Sequence, residues 1–253
     1  MGYAEFELDI PEVMRTELPK YFDALAAEPL VEANIGKIPQ NAQGAYMLFL
    51  DGALVYVGKT DAQAGFRSRL SRHFHNIQHR KNLNPDDVGF KAIRIFVFSN
   101  FDLETMLIEE AEKKLGRPAW NFSGFGSNDP GRNRENQEPA KFDTDYPVDI
   151  DRSIDFITPG THKLLDIISR LKNGLPYLFR YDTGGRNYRL GHPEMEVGDV
   201  TIPIGNVTTR SVINAIVASL SPNWQITVLP NRVILYKENV TYAQQIERIR
   251  RRP

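Results

Sequence analysis

Gly44-Ala45-Tyr46-Met47-Leu48-Phe49-Leu50, then Asp51-Gly52, then Ala53-Leu54-Val55-Tyr56-Val57-Gly58-Lys59-Thr60, is the stretch on which the fold turns. Two apolar, β-favouring runs joined by Asp-Gly predict a hairpin, and each run carries a tyrosine two residues from a glycine. Register decides what the tyrosines can do. A two-residue turn at Asp51-Gly52 sets Tyr46 opposite Val57 and Tyr56 opposite Met47, with the phenols on opposite faces of the sheet. A three-residue loop, Leu50-Asp51-Gly52, sets Tyr46 directly opposite Tyr56 on one face, which is what a shared site requires.

Outward from the hairpin, Leu18 to Ala27 has helical spacing, with Leu18, Phe22 and Leu25 on one side, and predicts a helix packed against it. Ala64 to His79 places Phe66, Leu70, Phe74 and Ile77 at helical intervals, and Arg69 and His73, four apart, flank that stripe together. Asn82-Leu83-Asn84-Pro85-Asp86-Asp87 is a turn signal, and Phe90 to Phe98 alternates as a third, central strand. Asp102 is placed to cap a helix over Leu103 to Leu115, ended by Gly116-Arg117-Pro118, with Leu103, Leu107, Ile108, Ala111 and Leu115 as its apolar arc. Ser123 to Tyr146, rich in Gly, Asn, Pro and Arg, is a loop passing into a linker.

A helical and stranded pattern restarts near Ile154. It predicts helices at Thr161–Lys172, at Thr209–Leu220 and from Tyr242. Strands are predicted at Tyr177–Arg180, Tyr188–Leu190 and Val200–Ile204, with a hairpin of Gln225–Leu229 and Val233–Tyr236. The chain of 253 residues thus divides into 1–150 and a small α/β accessory domain, 151–253, without a catalytic constellation of its own.

Composition limits the chemistry. The absence of cysteine removes disulfides and thiolate metal sites, and no apolar run reaches the roughly 20 residues of a membrane span. A net charge of −1 argues against indiscriminate binding to phosphates. Positive charge is local: Lys59, Arg67, Arg69, Arg72, Arg80 and Lys81 are interrupted only by Asp61, and Arg248-Ile249-Arg250-Arg251-Arg252 closes the chain, although such clusters are most often solvated faces. His75 and His79 have zinc-ligand spacing but no third ligand. Gly124, Gly126 and Gly131 precede no helix and make no phosphate loop.

The order Gly44-Ala45-Tyr46, Tyr56-Val57-Gly58-Lys59, Arg69, His73, Glu109 and Asn121 resembles the GIY-YIG nuclease superfamily over residues 40–135. Each short motif differs from the family's name by one conservative change. Arg69-Leu70-Ser71-Arg72-His73 and Trp120-Asn121-Phe122-Ser123-Gly124 resemble its type II restriction endonuclease branch. The resemblance implies an α+β fold, a three-stranded sheet flanked by helices, and a metal-dependent endodeoxyribonuclease of the prokaryotic cytoplasm. It implies Tyr46, Tyr56, Lys59, Arg69, His73, Glu109 and Asn121 as catalytic residues, with Glu109 holding one Mg²⁺ or Mn²⁺. Glu104, Glu110 and Glu112 compete for that role, since Glu109 lies opposite its helix's apolar arc. The family's spacing of twelve residues from Glu to Asn selects Glu109.

A phenol with pKa near 10 is about one part in a thousand ionised at pH 7, so Lys59, Arg69 or the metal must favour the tyrosinate if Tyr46 is to activate water. Tyr56 would support it, and His73, titrating near neutrality, would relay the proton or bind phosphate. Arg67, Arg72, Arg132 and Arg134 are the candidate DNA contacts. One site cuts one strand, so a palindrome in double-stranded DNA implies a homodimer, and a restriction role implies a companion DNA methyltransferase. Two rival readings are a structure-specific nicking enzyme and an inert DNA-binding module on the same fold.

Overall fold

The computed structural model describes residues 2–5, 9–60, 64–96, 103–121, 135–187 and 190–251. It divides into two compact units, Met1–His75 with Asn84–Phe125, and Asn76–Leu83 with Gly126–Pro253. This division differs from a boundary at residue 150: the last residues of the arginine-bearing helix and the turn after it, 76–83, are built into the second unit.

In the first unit, α1 (Ile10–Ala24) is capped by Asp9, whose carboxylate accepts from the Glu12 amide at 3.0 Å. It begins well before the spacing suggested, because only its second half, with Leu18 and Phe22, is buried. β1 (Glu28–Pro29) and α2 (Glu32–Ile35) lead to the hairpin of β2 (Gly44–Leu50) and β3 (Ala53–Lys59). Then come α3 (Phe66–Ile77), a 3₁₀ turn at Pro85–Asp87, β4 (Val88–Arg94) and α4 (Leu103–Leu115). The antiparallel sheet has the order β1-β4-β2-β3, so the third strand is internal as expected, though it starts and ends earlier. Residues 97–98 of the expected strand and the proposed cap Asp102 lie outside the described residues.

Neither register read from the sequence is the one adopted. Asp51 and Gly52 have φ of 49° and 79°, the two positive values of a type I′ turn, so the turn has two residues and Leu50 pairs with Ala53. One pair further on, the register shifts between Leu48 and Phe49: Phe49 pairs with Leu54 but Leu48 with Tyr56, leaving Val55 as the extra residue of a bulge. The shift inverts the side-chain parity of β3. Tyr46 therefore faces Gly58, Tyr56 sits diagonally two positions along, and both phenols share one face.

The two faces have different cover. Ala45 and Val57 pack with Leu18 and Phe22 of α1 and with Leu103, Met106, Leu107 and Ala111 of α4. Tyr46, on the other face, meets α3 through Phe66 and His73, with ring centroids at 6.3 and 5.6 Å.

The second unit contains α5 (Lys141–Asp145), β5 (Gly160–Lys163), α6 (Leu164–Gly174), β6 (Leu178–Tyr181), α7 (Pro193–Val197), β7 (Asp199–Ile202), α8 (Thr209–Ser219), β8 (Trp224–Leu229), β9 (Arg232–Lys237) and β10 (Glu247–Arg250). Its main sheet runs β10-β8-β9-β6, parallel only between β6 and β9, and β5 pairs with β7. Leu164, Ile167 and Leu171 of α6 and Val212, Ile213 and Ile216 of α8 join one core with Trp224, Ile226, Val233 and Leu235 of the sheet.

Three expectations are corrected in this unit. Residues 160–163 are a strand ahead of their helix, and Leu190 lies in a turn, with 188–189 outside the described residues. The segment expected as a last helix from Tyr242 becomes β10, because the outer edge of β8 offers unpaired backbone groups that Glu247 to Arg250 satisfy in antiparallel register. The hairpin of β8 and β9 and the helix α8 follow the sequence pattern closely, and a capping box between Thr208 and Ser211 starts α8.

Candidate active site

Tyr46, Tyr56 and His73 form a contiguous cluster. The Tyr46 hydroxyl lies 2.7 Å from His73 Nε2, the two tyrosine rings are 5.9 Å apart, and Tyr56 and His73 are 5.0 Å apart. Tyr46 and His73 are buried, at 0% and 1% exposure, while Tyr56 is half-buried toward the outside. Gly58 makes this packing possible: a Cβ there would stand 2.6 Å from Tyr46 Cζ and 2.7 Å from Tyr56 Cε1, inside both rings.

Asn121 holds the strand between Tyr56 and Gly58. Its Oδ1 accepts from the Val57 amide at 2.8 Å and its Nδ2 donates to the Val57 carbonyl at 2.7 Å, while the Trp120 amide donates to the Val55 carbonyl at 2.8 Å. The side-chain amide thus acts as a short substitute strand on the outer edge of β3. Both ends of the Asn121 amide are committed to the backbone of Val57.

The protein's own electrostatics do not favour a tyrosinate. Burial, with Tyr56 next, pushes the Tyr46 phenol far above its ordinary value, against the opposing pull of Arg69 and Arg72. Burial, then the charge of Glu104, raises Tyr56 in the same direction. Both tyrosines are therefore neutral donors at pH 7. His73, expected to titrate near neutrality, is pushed down to about 3 by burial and by the neighbouring charges of Arg72 and Arg69. Its imidazole is neutral at physiological pH. With Nε2 bare, it accepts the phenol's proton; with Nε2 protonated, it donates to the phenol oxygen and leaves the O–H for Tyr56, to which Tyr46 is also hydrogen-bonded.

The sign of the resulting pH dependence is fixed. The unfolded chain binds a proton on His73 near pH 6.5 that the folded chain refuses until about pH 3, so stability is full above 6.5 and falls as pH drops through this window. Between pH 7 and pH 5 this one group should remove about 2 kcal/mol, at a limiting slope of about 1.4 kcal/mol per pH unit. Urea titrations of wild type and His73→Gln at the two pH values measure it as the difference in acid sensitivity. Equal loss in both proteins would contradict the assignment.

The remaining candidates divide. Arg69, half-buried, and Arg72, exposed, bring their charges to Tyr46, Tyr56 and His73 alike. Arg67, a candidate DNA contact, is engaged with backbone. Its Nε donates to the Ile38 carbonyl and its Nη2 to the Gly36 carbonyl at 2.7 Å, which braces the loop before β2. Lys59 pairs with Ala45 and starts from the face of Val57, opposite the phenols. Arg132 and Arg134, with the glycines before them, lie outside the described residues.

Glu109 does not join the cluster either. Its side chain is 52% exposed and its Oε2 lies 3.6 Å from Arg15 Nη1, on the solvent side of α4. The carboxylate whose charge reaches Tyr56 belongs to Glu104, half-buried in the first turn of α4 and flanking the buried arc of Leu103, Leu107 and Ala111. The sequence signal for it was present: Glu104 borders the helix's apolar stripe, whereas Glu109 opposes it.

Residues 52–150 match the family model of the Eco29kI GIY-YIG domain. Over that stretch the chain is similar to the GIY-YIG nuclease domain of the Eco29kI type. The matched stretch takes in Tyr56, Arg69, His73, Glu104, Glu109 and Asn121, while Tyr46 precedes it and enters the site through hairpin register and its bond to His73. No curated protein matches the chain.

A divalent ion fits the donor set around the tyrosines in one particular way. Among the described residues no group of three or more His, Asp or Glu side chains gathers to cage a metal. One carboxylate beside the tyrosines, with water and substrate phosphate completing the shell, is the arrangement that suits Mg²⁺. No helix among the described residues is long and apolar enough to cross a membrane.

Proposed function

We propose that this chain is a metal-dependent endonuclease that hydrolyses phosphodiester bonds of double-stranded DNA, a type II restriction enzyme acting as a homodimer beside a methyltransferase of the same specificity. The observation that carries the reading is the buried Tyr46–His73 pair at 2.7 Å, open to the outside through Tyr56 and overlaid by the charges of Arg69 and Arg72.

Hydrolysis adds water to phosphorus and breaks the bond to the leaving ribose oxygen. The incoming water must lose a proton, and the phosphoryl oxygens gain charge. Tyr46, its hydroxyl fixed by neutral His73, and Tyr56 orient the attacking water, whose proton leaves to a neighbouring water. Arg69, fixed on α3, meets the phosphoryl oxygens, with Arg72 outside it toward the DNA backbone. Glu104 would hold Mg²⁺ or Mn²⁺, which supplies Lewis-acid neutralisation of phosphate and leaving-group charge. Burial keeps His73 neutral down to low pH, so the bond by which it positions Tyr46 is unchanged throughout the physiological range.

Digestion of a large unmodified DNA with Mg²⁺, followed by sequencing of every end, tests the assignment. Ends sharing one short palindromic sequence are expected. Nicks confined to branched or damaged DNA would replace restriction by a structure-specific role, and intact DNA across many substrates and both metals would remove the catalytic reading.

A further inference from the structure

β10 closes one side of the second unit's main sheet: it pairs with β8, and among the described residues no strand lies against its other edge. A row of backbone N–H and C=O groups outside the ladder is a template for one more strand.

Alternation sorts the side chains of this strand onto two sides. Glu247 and Ile249 turn toward α8. Ile249 packs there, half-buried, against the core, and the two oxygens of Glu247 accept from Arg210 Nη1 at 2.8 and 2.9 Å. Arg251, of the same parity, reaches the Leu220 carbonyl behind α8 at 3.4 Å. Arg248 and Arg250 take the opposite side, where they donate to Thr241 Oγ1 at 3.0 Å and Asn239 Oδ1 at 2.7 Å. On the α8 side the strand therefore reads acid, apolar, base. An open groove of about 720 Å³ runs between it and the helix, with exposed Asn214 and Ala218 on the helix wall.

That order is its own complement when reversed. A two-fold axis at Ile249 sets a second β10 antiparallel at about 4.8 Å, with Ile249 against the partner's Ile249 and Glu247 against the partner's Arg251, and the reverse pair by symmetry. A carboxylate offers about four lone-pair sites, so the partner's Arg251 joins Arg210 on Glu247 without displacing it. On the other side Arg248 meets the partner's Arg250, which opposes the pairing. Arg248 is exposed and Arg250 half-buried, each is drawn back by an oxygen of its own subunit, and screening keeps that repulsion small.

We propose that the β10 edge is the surface by which two copies of this chain associate, joining two four-stranded sheets into one across a two-fold axis. The inference rests on the two-subunit reading above and names the contact that serves it.

The chain has no cysteine, so one introduced thiol reports on one pair of positions. Under mild oxidation the full-length Ile249→Cys protein should run as a covalent dimer on a non-reducing gel, because opposed residues of paired strands lie within disulfide reach. Arg248→Cys should stay monomeric on that gel, its two copies being offset along the strands beyond the limit of about 7 Å. In sedimentation equilibrium Arg251→Glu should raise the dimer dissociation constant at least tenfold by setting acid against acid, whereas Arg251→Lys should stay within about threefold of wild type. Equal cross-linking of both cysteine variants, or of neither, would overturn the proposal, as would unchanged association of Arg251→Glu. Neither cross-linking in a chain whose wild type is dimeric would move the contact to another surface and spare the two-subunit reading. A wild type that is monomeric both alone and on a palindromic duplex in EDTA would end both, with the arginines then serving as guards of an open edge. A cross-linked Ile249→Cys dimer that cuts no DNA would defeat the nuclease reading and leave the interface standing.

Discussion

Glu104→Ala is expected to lower single-turnover DNA cleavage by about a thousandfold, whereas Glu109→Ala should stay within about threefold of wild type. The two carboxylates are five residues apart on α4, which places them on different sides of the helix. Glu104 flanks the buried arc and its charge is felt by Tyr56, while Glu109 is 52% exposed and neighbours Arg15. On the proposed reading, a divalent ion that neutralises charge on a phosphate beside the tyrosines is held by the first. Glu104→Gln sharpens the comparison, since it keeps the side chain's size and removes its charge; it should lose nearly as much activity while unfolding at the same urea concentration. The reverse ranking, with Glu109 essential and Glu104 dispensable, would refute this placement of the metal.

Asp143→Ala is expected to cost the second unit about 3–5 kcal/mol, seen as a lower urea midpoint, because it strands a buried guanidinium. Arg80 and Asp143 are 3% and 0% exposed and meet at 2.9 Å. Arg80 also donates through Nε to the Asn76 carbonyl at 3.0 Å and through Nη1 to the Tyr146 carbonyl at 3.1 Å, and its guanidinium lies 5.0 Å from the Phe142 ring centroid. Burial lowers the Arg80 pKa, and Asp143 is the main group opposing that shift. These bonds tie 76–83 into the second unit, and they withdraw Arg80 from the basic surface to which its sequence neighbourhood assigned it. The double variant Arg80→Met/Asp143→Leu, with no charge left to bury, should recover most of the loss. A cost under about 1 kcal/mol for Asp143→Ala would mean that water reaches the guanidinium and that the pair is not the fastening it resembles.

Local chemistry determined the frame of this protein. Asp51-Gly52 between two β-favouring runs dictates a hairpin, and the spacing of Phe66, Leu70 and Ile77 dictates a helix whose flank carries Arg69 and His73. The α4 limits and the β8–β9 hairpin were legible for the same reason, since period and terminating residues act within a few positions. What sequence could not determine depends on contacts between distant segments. The bulge at Val55, which brings the two phenols to one face, is a choice of strand register decided by what packs on either side of the sheet. The roles of Arg67, Arg80 and Asn121 were decided by backbone carbonyls and amides brought to them by folding, because a charged or amide side chain reads identically in sequence whether it meets water, DNA or protein. The neutrality of His73 belongs to the tertiary structure alone: burial and the distance to neighbouring charges set it, and neither quantity exists until the chain is folded.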